Sequence, residues 1–238
     1  MIRSSQTRLC WLGSAGIFLA LLGACSILDT NQKAQPAFYS LYTARPGVKL
    51  STPASGATKL PTLIVNPPHA APGFDSHRII YIREPHQLEY FSHSEWVDTP
   101  ARMIAPSVVA ALENTGAFRA VVLTPSAAAG DLRLDVEILR LQHEFDNTPS
   151  RVRFTLRAYL LDNKTRQILA WREFDEMVAA AQGDPHGGVI AANAAVEKAM
   201  ENLASFCAEV VGSWMPADDR RHKDGELAPS SRSPGNSN

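Results

Sequence analysis

The chain has 238 residues, a formal net charge of −1, 45% hydrophobic residues and 20% charged residues. That composition excludes a wholly disordered chain, a collagen-like repeat and a multi-span membrane protein. The near balance of 23 Lys+Arg against 24 Asp+Glu also excludes a strongly basic nucleic-acid binder.

The first segment, residues 1–24, reads as a secretory signal. Arg3 and Arg8 are its only charges, and an apolar stretch runs from Leu9 to Ala24. That stretch is shorter than the roughly 20 residues a bilayer span needs. Leu22-Gly23-Ala24-Cys25 has the pattern of a lipoprotein cleavage box: an apolar residue, two small residues, then cysteine. Cleavage between Ala24 and Cys25 leaves the thiol to take diacylglycerol and the new amine to take a further acyl chain. At about 0.8 kcal/mol per buried CH₂, several acyl chains hold a protein to a membrane durably. An ordinary secretory signal or a short membrane anchor with a chance cysteine is the plainer alternative. Ser26 rather than Asp follows Cys25, so the outer membrane, on its periplasmic face, is the expected destination. Cleavage removes two arginines and no acid, which moves the net charge from −1 to −3. Cys10 leaves with the signal and Cys25 takes lipid, so Cys207 remains alone and no internal disulfide can form.

Residues 25–37 are a polar, lipidated tether. Phe38-Tyr39-Ser40-Leu41-Tyr42 is a short strand candidate, and residues 43–61, rich in Pro, Gly, Ser and Thr, form a loop. Thr62–Asn66 is a second strand, stopped by Pro67-Pro68. Arg78–Ile82 and Gln87–Phe91 read as a hairpin around Glu84-Pro85. Thr99 to Asn114 reads as a helix with Thr99 as cap and Pro100 at the first helical position. Met103, Ile104, Val108, Ala111 and Leu112 give its apolar stripe. Pro106 is expected to kink it or split it, and Gly116 closes it.

The middle is β. Leu132, Leu134, Val136 and Ile138 alternate with polar residues, and the phase then slips to Leu139 and Leu141, which predicts a bulge. Val152, Phe154, Leu156, Ala158 and Leu160 alternate in a second strand, and Ile168, Ala170 and Phe174 mark a third. Tight turns make these an antiparallel meander with one buried face. From Gly188 to Trp214, apolar residues at steps of three and four mark a long amphipathic helix with Cys207 on its inner stripe. The expected fold is a single α+β domain over 38–214: a two-layer sandwich, mainly antiparallel, with two helices packed on one face. Residues 215–238 carry almost no apolar side chain and are expected to be a disordered tail.

The order of these elements resembles the ABC-type transport auxiliary lipoprotein family, the paraquat-inducible protein C-like lipoproteins. The likeness rests on Phe38-Tyr39-Ser40-Leu41 beyond the tether and on Ile79-Ile80-Tyr81 through Tyr90 and Trp96. It continues in Leu132–Val136, Phe145-Asp146 and Ala179-Ala180-Ala181 before the last helix. One departure is Pro67-Pro68-His69 through Phe74, where the family often has a Leu-Asp-Arg-like turn and Phe74–Arg78 stands in imperfectly. The resemblance implies a non-catalytic outer-membrane component that docks or gates the conduit of a trans-envelope lipid transporter. Its partners would be an ABC permease complex and a mammalian-cell-entry (MCE)-type lipid-binding protein, with a homo-oligomer possible. A structural lipoprotein supporting another outer-membrane assembly is the alternative.

No motif for an enzyme, nucleotide loop or zinc site is present, so no cofactor is expected beyond the acyl chains on Cys25. His77, His86 and His93 follow no metal spacing. Gly183–Gly188 reads as a loop and helix cap, with an anion at that terminus as the sharper alternative. Asp131, Asp135 and Glu137 face Arg151, Arg153 and Arg157 on the next strand. Cross-strand pairing of solvated charges accounts for both rows; a docking face built on the three arginines is the sharper reading. Tyr39, Tyr42, Tyr81, Tyr90, Phe91 and Trp96 are expected mostly in the core, with some left for a partner or lipid surface.

Overall fold

The computed structural model describes residues 35–41 and 60–214. The signal and cleavage box, most of the tether, Tyr42, most of the Pro/Gly-rich loop and the tail all lie outside the described residues. Among these described residues, nine strands and two helices follow in chain order. The strands are β1 (Ala37–Tyr39), β2 (Thr62–Val65), β3 (His69–Ala70), β4 (Arg78–Ile82) and β5 (Glu89–Trp96), then β6 (Ala120–Leu123), β7 (Leu132–Glu144), β8 (Arg151–Asp162) and β9 (Ile168–Ala179). Helix α1 (Pro100–Asn114) lies between β5 and β6, and α2 (Pro185–Ser213) ends the described fold.

Strand β7 is the spine of the sheet. One of its edges pairs antiparallel with β8 along its whole length, and β8 pairs antiparallel with β9. Its other edge is shared by three short strands, all parallel to it. Leu63–Val65 of β2 lies beside Leu132–Leu134, β3 beside Glu137-Ile138, and the end of β4 beside His143-Glu144. β6 extends β2 in parallel, and β5 and β1 extend β4. The sheet is therefore mixed, although its longest ladders are antiparallel. β6, the Ala120-Val121-Val122-Leu123 run, was not anticipated. Its four residues are too few to show a period of two against a helical one.

The predicted bulge is present: the β7–β8 register shifts between Ile138 and Arg140. Before it, the even residues Leu132, Leu134, Val136 and Ile138 point inward; after it, Leu141 and His143 do. Phe154, Leu156, Ala158 and Leu160 of β8 are fully buried beside them. Ile168 departs from expectation and is 56% exposed, because the β8–β9 register shifts at that end of the strand.

Both helices lie on this buried face and touch each other. α1 buries Ile104, Val108 and Leu112. It runs as one helix through Pro106. Pro106 and Arg102, whose carbonyl loses its intrahelical donor, both face solvent, where water can replace that bond. Thr99 takes the capping position without a side-chain bond. Asp98 instead accepts from the Thr99 N–H at 2.8 Å and meets Arg102 at 3.3 Å. Gly116 follows the helix at φ +65°, the left-handed conformation that glycine adopts freely. α2 begins at Pro185, one turn earlier than its apolar stripe suggested. Asp184 caps it by accepting from Gly187 N at 2.7 Å. Val189, Ala192, Val196, Ala199, Met200, Leu203, Phe206 and Cys207 are buried along it. Burial pushes the Cys207 thiol up to about 12.

Candidate functional site

The three arginines singled out in the sequence lie on the face of β8 opposite the helices, but their partners are not those expected. Arg151 sits directly across from Glu144 of β7, with Nε 3.0 Å from Oε2, and also reaches Asp146 at 3.3 Å. Arg153 and Arg157 turn the other way, to β9. Arg153 donates twice to Asp175, from Nε at 2.9 Å and Nη2 at 2.6 Å, and Thr155 Oγ1 donates to the same carboxylate at 2.7 Å. Arg157 Nη2 donates to Glu173 at 2.9 Å, directly across the strand pair. Asp131, Asp135 and Glu137 serve the opposite edge of β7. Asp131 accepts from Thr62 N at 2.8 Å, Asp135 from Asn66 Nδ2 at 2.5 Å, and Glu137 lies 3.9 Å from His69 Nε2. The reason is topological. β2 and β3 fill that edge and present unmet donors to the β7 acids, while β9 brings its own acids to β8.

The result is a ladder of alternating charge across β7, β8 and β9. The Arg153 guanidinium, aided by the Thr155 hydroxyl, holds the Asp175 carboxyl down to about 2. Glu173 in turn raises Arg157. Arg151, Arg153 and Arg157 are each answered by a carboxylate, so their charges are largely offset within the ladder. At its β9 margin, Trp171 is 60% exposed and Met177 is 48% exposed. The Trp171 ring lies 6.4 Å from that of Tyr159. An ordered charge lattice with an aromatic rim suits protein recognition, where such side chains supply specificity and anchoring.

A second cluster lies on the inner face, where the end of β7 meets α2. The His143 and Phe145 rings meet at 4.2 Å, tilted by 35°, and Tyr81 meets Phe91 at 4.5 Å and Phe145 at 5.9 Å. His143 is buried, with Nε2 2.9 Å from Ser150 Oγ and Nδ1 without a partner. Burial pushes its imidazole below the usual range, against the opposing charge of Asp184. Its ring presses on Gly188, where a Cβ would stand 2.6 Å from Nδ1. The adjoining cavity, lined by Ile79, Trp96, Leu141 and Ala192 among others, has about 10 Å³ of space. That suits one water and not a lipid.

The expected aromatic group thus divides. Tyr39, Tyr81, Phe91 and Trp96 pack on or in the core, whereas Tyr90 is on the outside. Phe38 is exposed as well, as its place next to inward Tyr39 requires by strand alternation. His77 Nδ1 lies 3.3 Å from the Trp96 carbonyl oxygen, and His86 occupies a turn at φ +69°. Among the described residues there is no group of three or more His, Cys, Asp or Glu placed to hold a metal. No helix among them is long and apolar enough to cross a membrane.

Residues 39–204 match the model of a protein family described as the ABC-type transport auxiliary lipoprotein component. No curated protein matches significantly. Among solved structures, protein XCC0632 from Xanthomonas campestris is similar at 21% identity and a TM-score of 0.59. The match covers 71% of this chain and 89% of that one. A second crystal structure, of an uncharacterized protein, is similar at 14% identity and a TM-score of 0.56, with 73% and 99% covered. At such identities these two structures bear on the fold alone.

Proposed function

The chain belongs to the ABC-type transport auxiliary lipoprotein family, and from that premise we propose that it is the outer-membrane-side lipoprotein of a trans-envelope lipid transport system. In this reading Cys25 is acylated after cleavage behind Ala24, and the folded body hangs from the periplasmic face of the outer membrane. Its role is non-catalytic: docking or gating of a conduit formed by an MCE-type lipid-binding protein and an ABC permease complex. The observation that carries the reading is a conjunction. A lipoprotein cleavage box at Leu22–Cys25 stands just ahead of a body matched by the family over residues 39–204.

The charge ladder on β7–β9 is the proposed docking face, with Arg151, Arg153 and Arg157 at its centre. Its paired charges supply orientation and Trp171 supplies an anchor.

Metabolic labelling with palmitate tests the anchor. The wild-type chain takes up label and fractionates with outer membranes; Cys25→Ala does neither and is released into the periplasm. A Cys25→Ala chain that stays membrane-bound would show the lipidation reading to be wrong. Co-purification after mild crosslinking tests the partnership. Recovery of the permease, its ATPase and a lipid-binding partner supports the proposal. Recovery of a different outer-membrane assembly in their place supports a scaffolding lipoprotein instead.

A further inference from the structure

Strands β1, β5 and β4 form one end of the sheet, and their two faces differ sharply. Inward, Tyr39 and Trp96 are in register and pack against the core, with Ile79 beside them. Outward, Phe38 of β1, Glu95 of β5 and Arg78 of β4 stand in one row across the three strands. Val97, two residues beyond Glu95 and just past the end of β5, donates its N–H to the Tyr39 carbonyl at 2.8 Å. Tyr90 lies on the other side of the row, with the Arg78 guanidinium 4.7 Å from its ring centre. Phe38 is 61% exposed, Val97 53% and Tyr90 39%. Holding such side chains in water forgoes burial that a Phe or Val normally gains, roughly 1.5–3 kcal/mol each.

What this face meets is indicated by the chain that leads into it. β1 begins at Ala37, only 12 residues after Cys25. At no more than about 3.6 Å per residue, 12 residues reach about 43 Å at full stretch. Any lipid on Cys25 therefore holds β1 within about 43 Å of a bilayer. The residues of the face are also those that partition to bilayer interfaces: an aromatic ring, a tyrosine whose hydroxyl can stay wet, and an arginine stacked over it. Arg78 and Glu95 offset one another, and the processed chain is net negative. Attraction to anionic headgroups is therefore not the source of affinity.

We propose that the outward face of β1, β5 and β4, centred on Phe38, Val97 and Tyr90, lies on the zwitterionic phospholipid surface of the membrane that carries the Cys25 acyl chains, setting the orientation of the body on that membrane. This rests on the lipoprotein reading of Cys25. The body is then held at two points, by acyl chains and by a shallow aromatic contact, and the charge ladder on β7–β9 is presented in a fixed direction.

The test uses the full-length lipidated protein in phosphatidylcholine vesicles, some carrying doxyl-labelled acyl chains. Single cysteines introduced as Phe38→Cys, Val97→Cys and, on the exposed side of α2, Glu201→Cys are labelled with bimane. Cys207 is buried and does not compete. The expected result is a blue shift and doxyl quenching at positions 38 and 97, with neither at 201. Co-flotation with vesicles is scored separately. Protein that does not float refutes the anchor and with it the proposal. Protein that floats while positions 38 and 97 stay unquenched overturns the proposal and leaves the anchor standing. A blue shift that grows with protein-to-lipid ratio and shows no doxyl quenching assigns the face to a second copy of the chain and also overturns it. A Phe38→Ser/Val97→Ser variant floats like wild type but loses quenching at a bimane placed by Tyr90→Cys.

Discussion

The β7–β8–β9 half of the sheet and the β1–β6 half solve the same problem differently. The first consists of three strands of 12 or 13 residues that pair with one another along nearly their whole length. In the second, β1, β2, β3, β4 and β6 have two to five residues each. A long strand carries its own instructions, because alternation over 12 residues fixes which face is buried and a slip of one residue would expose every core side chain. A two-residue strand carries none. Its position comes from the edge it lies on, and here that edge is β7.

Substitutions test whether the two halves depend on each other in this way. The largest effect is expected from Phe154→Ala, in the middle of β8 and fully buried. A loss of about 3–5 kcal/mol is the usual cost of such a cavity. Because the short strands depend on β7, and β7 on β8, urea denaturation should still show a single transition. Amide protection in β4 and β5 should fall together with that in β9. If β4 and β5 keep their protection, the two halves are independent and the short strands do not rely on β7.

A smaller loss, about 1–3 kcal/mol, is expected from Gly188→Ala at the joint between α2 and the end of β7. The new Cβ would stand 2.6 Å from His143 Nδ1, so the ring or the helix must shift. Thermal denaturation reads the size of the loss, and replacing His143 by a smaller residue in the same chain should recover part of it.

The smallest effect, about 0.2–1 kcal/mol, belongs to the charge ladder, where Asp175→Asn removes a partly exposed pair. Its signature is in the pH dependence. Asp175 is held at about 2 in the folded protein against an ordinary 3.8. The wild type therefore keeps this contribution above about pH 4 and loses it as the pH falls towards 2. Asp175→Asn should lack that step and differ least from wild type at the acid end. An unchanged acid limb of the stability curve would show that the ladder does not contribute to folding.

The same contrast explains what could be read from residues alone. The meander, its bulge at Leu139 and the buried stripe of α2 were legible because each is a periodic pattern many residues long. β6 and the parallel pairing of β2, β3 and β4 with β7 were not, since no local feature of Thr62–Val65 names Leu132–Leu134 as its neighbour. For the arginine row, the strand and face were legible. The partners were not, because they depend on which strand fills the far edge of β7. Phe38 was legible in principle, as the outward neighbour of Tyr39, but its exposure depends on what packs over that face, which no local pattern states. The bulge at Leu139 has a wider effect than its single residue suggests. It turns His143, rather than Gln142, towards α2, and so selects the imidazole for the contact with Gly188.

The arrangement of three short strands along one edge of β7 also bears on the order of assembly. β7, β8 and β9 are joined by short turns, so their ladders close over small loops. The bond from Thr62 N to Asp131 spans 69 residues of chain, and ordering so long a loop comes late in folding. Until β2, β3 and β4 arrive, β7 shows a bare row of N–H and C=O groups along 13 residues. Another nascent chain could match that row. The late strands therefore do more than complete a core: their docking closes the interval in which the protein is open to pairing with its own copies.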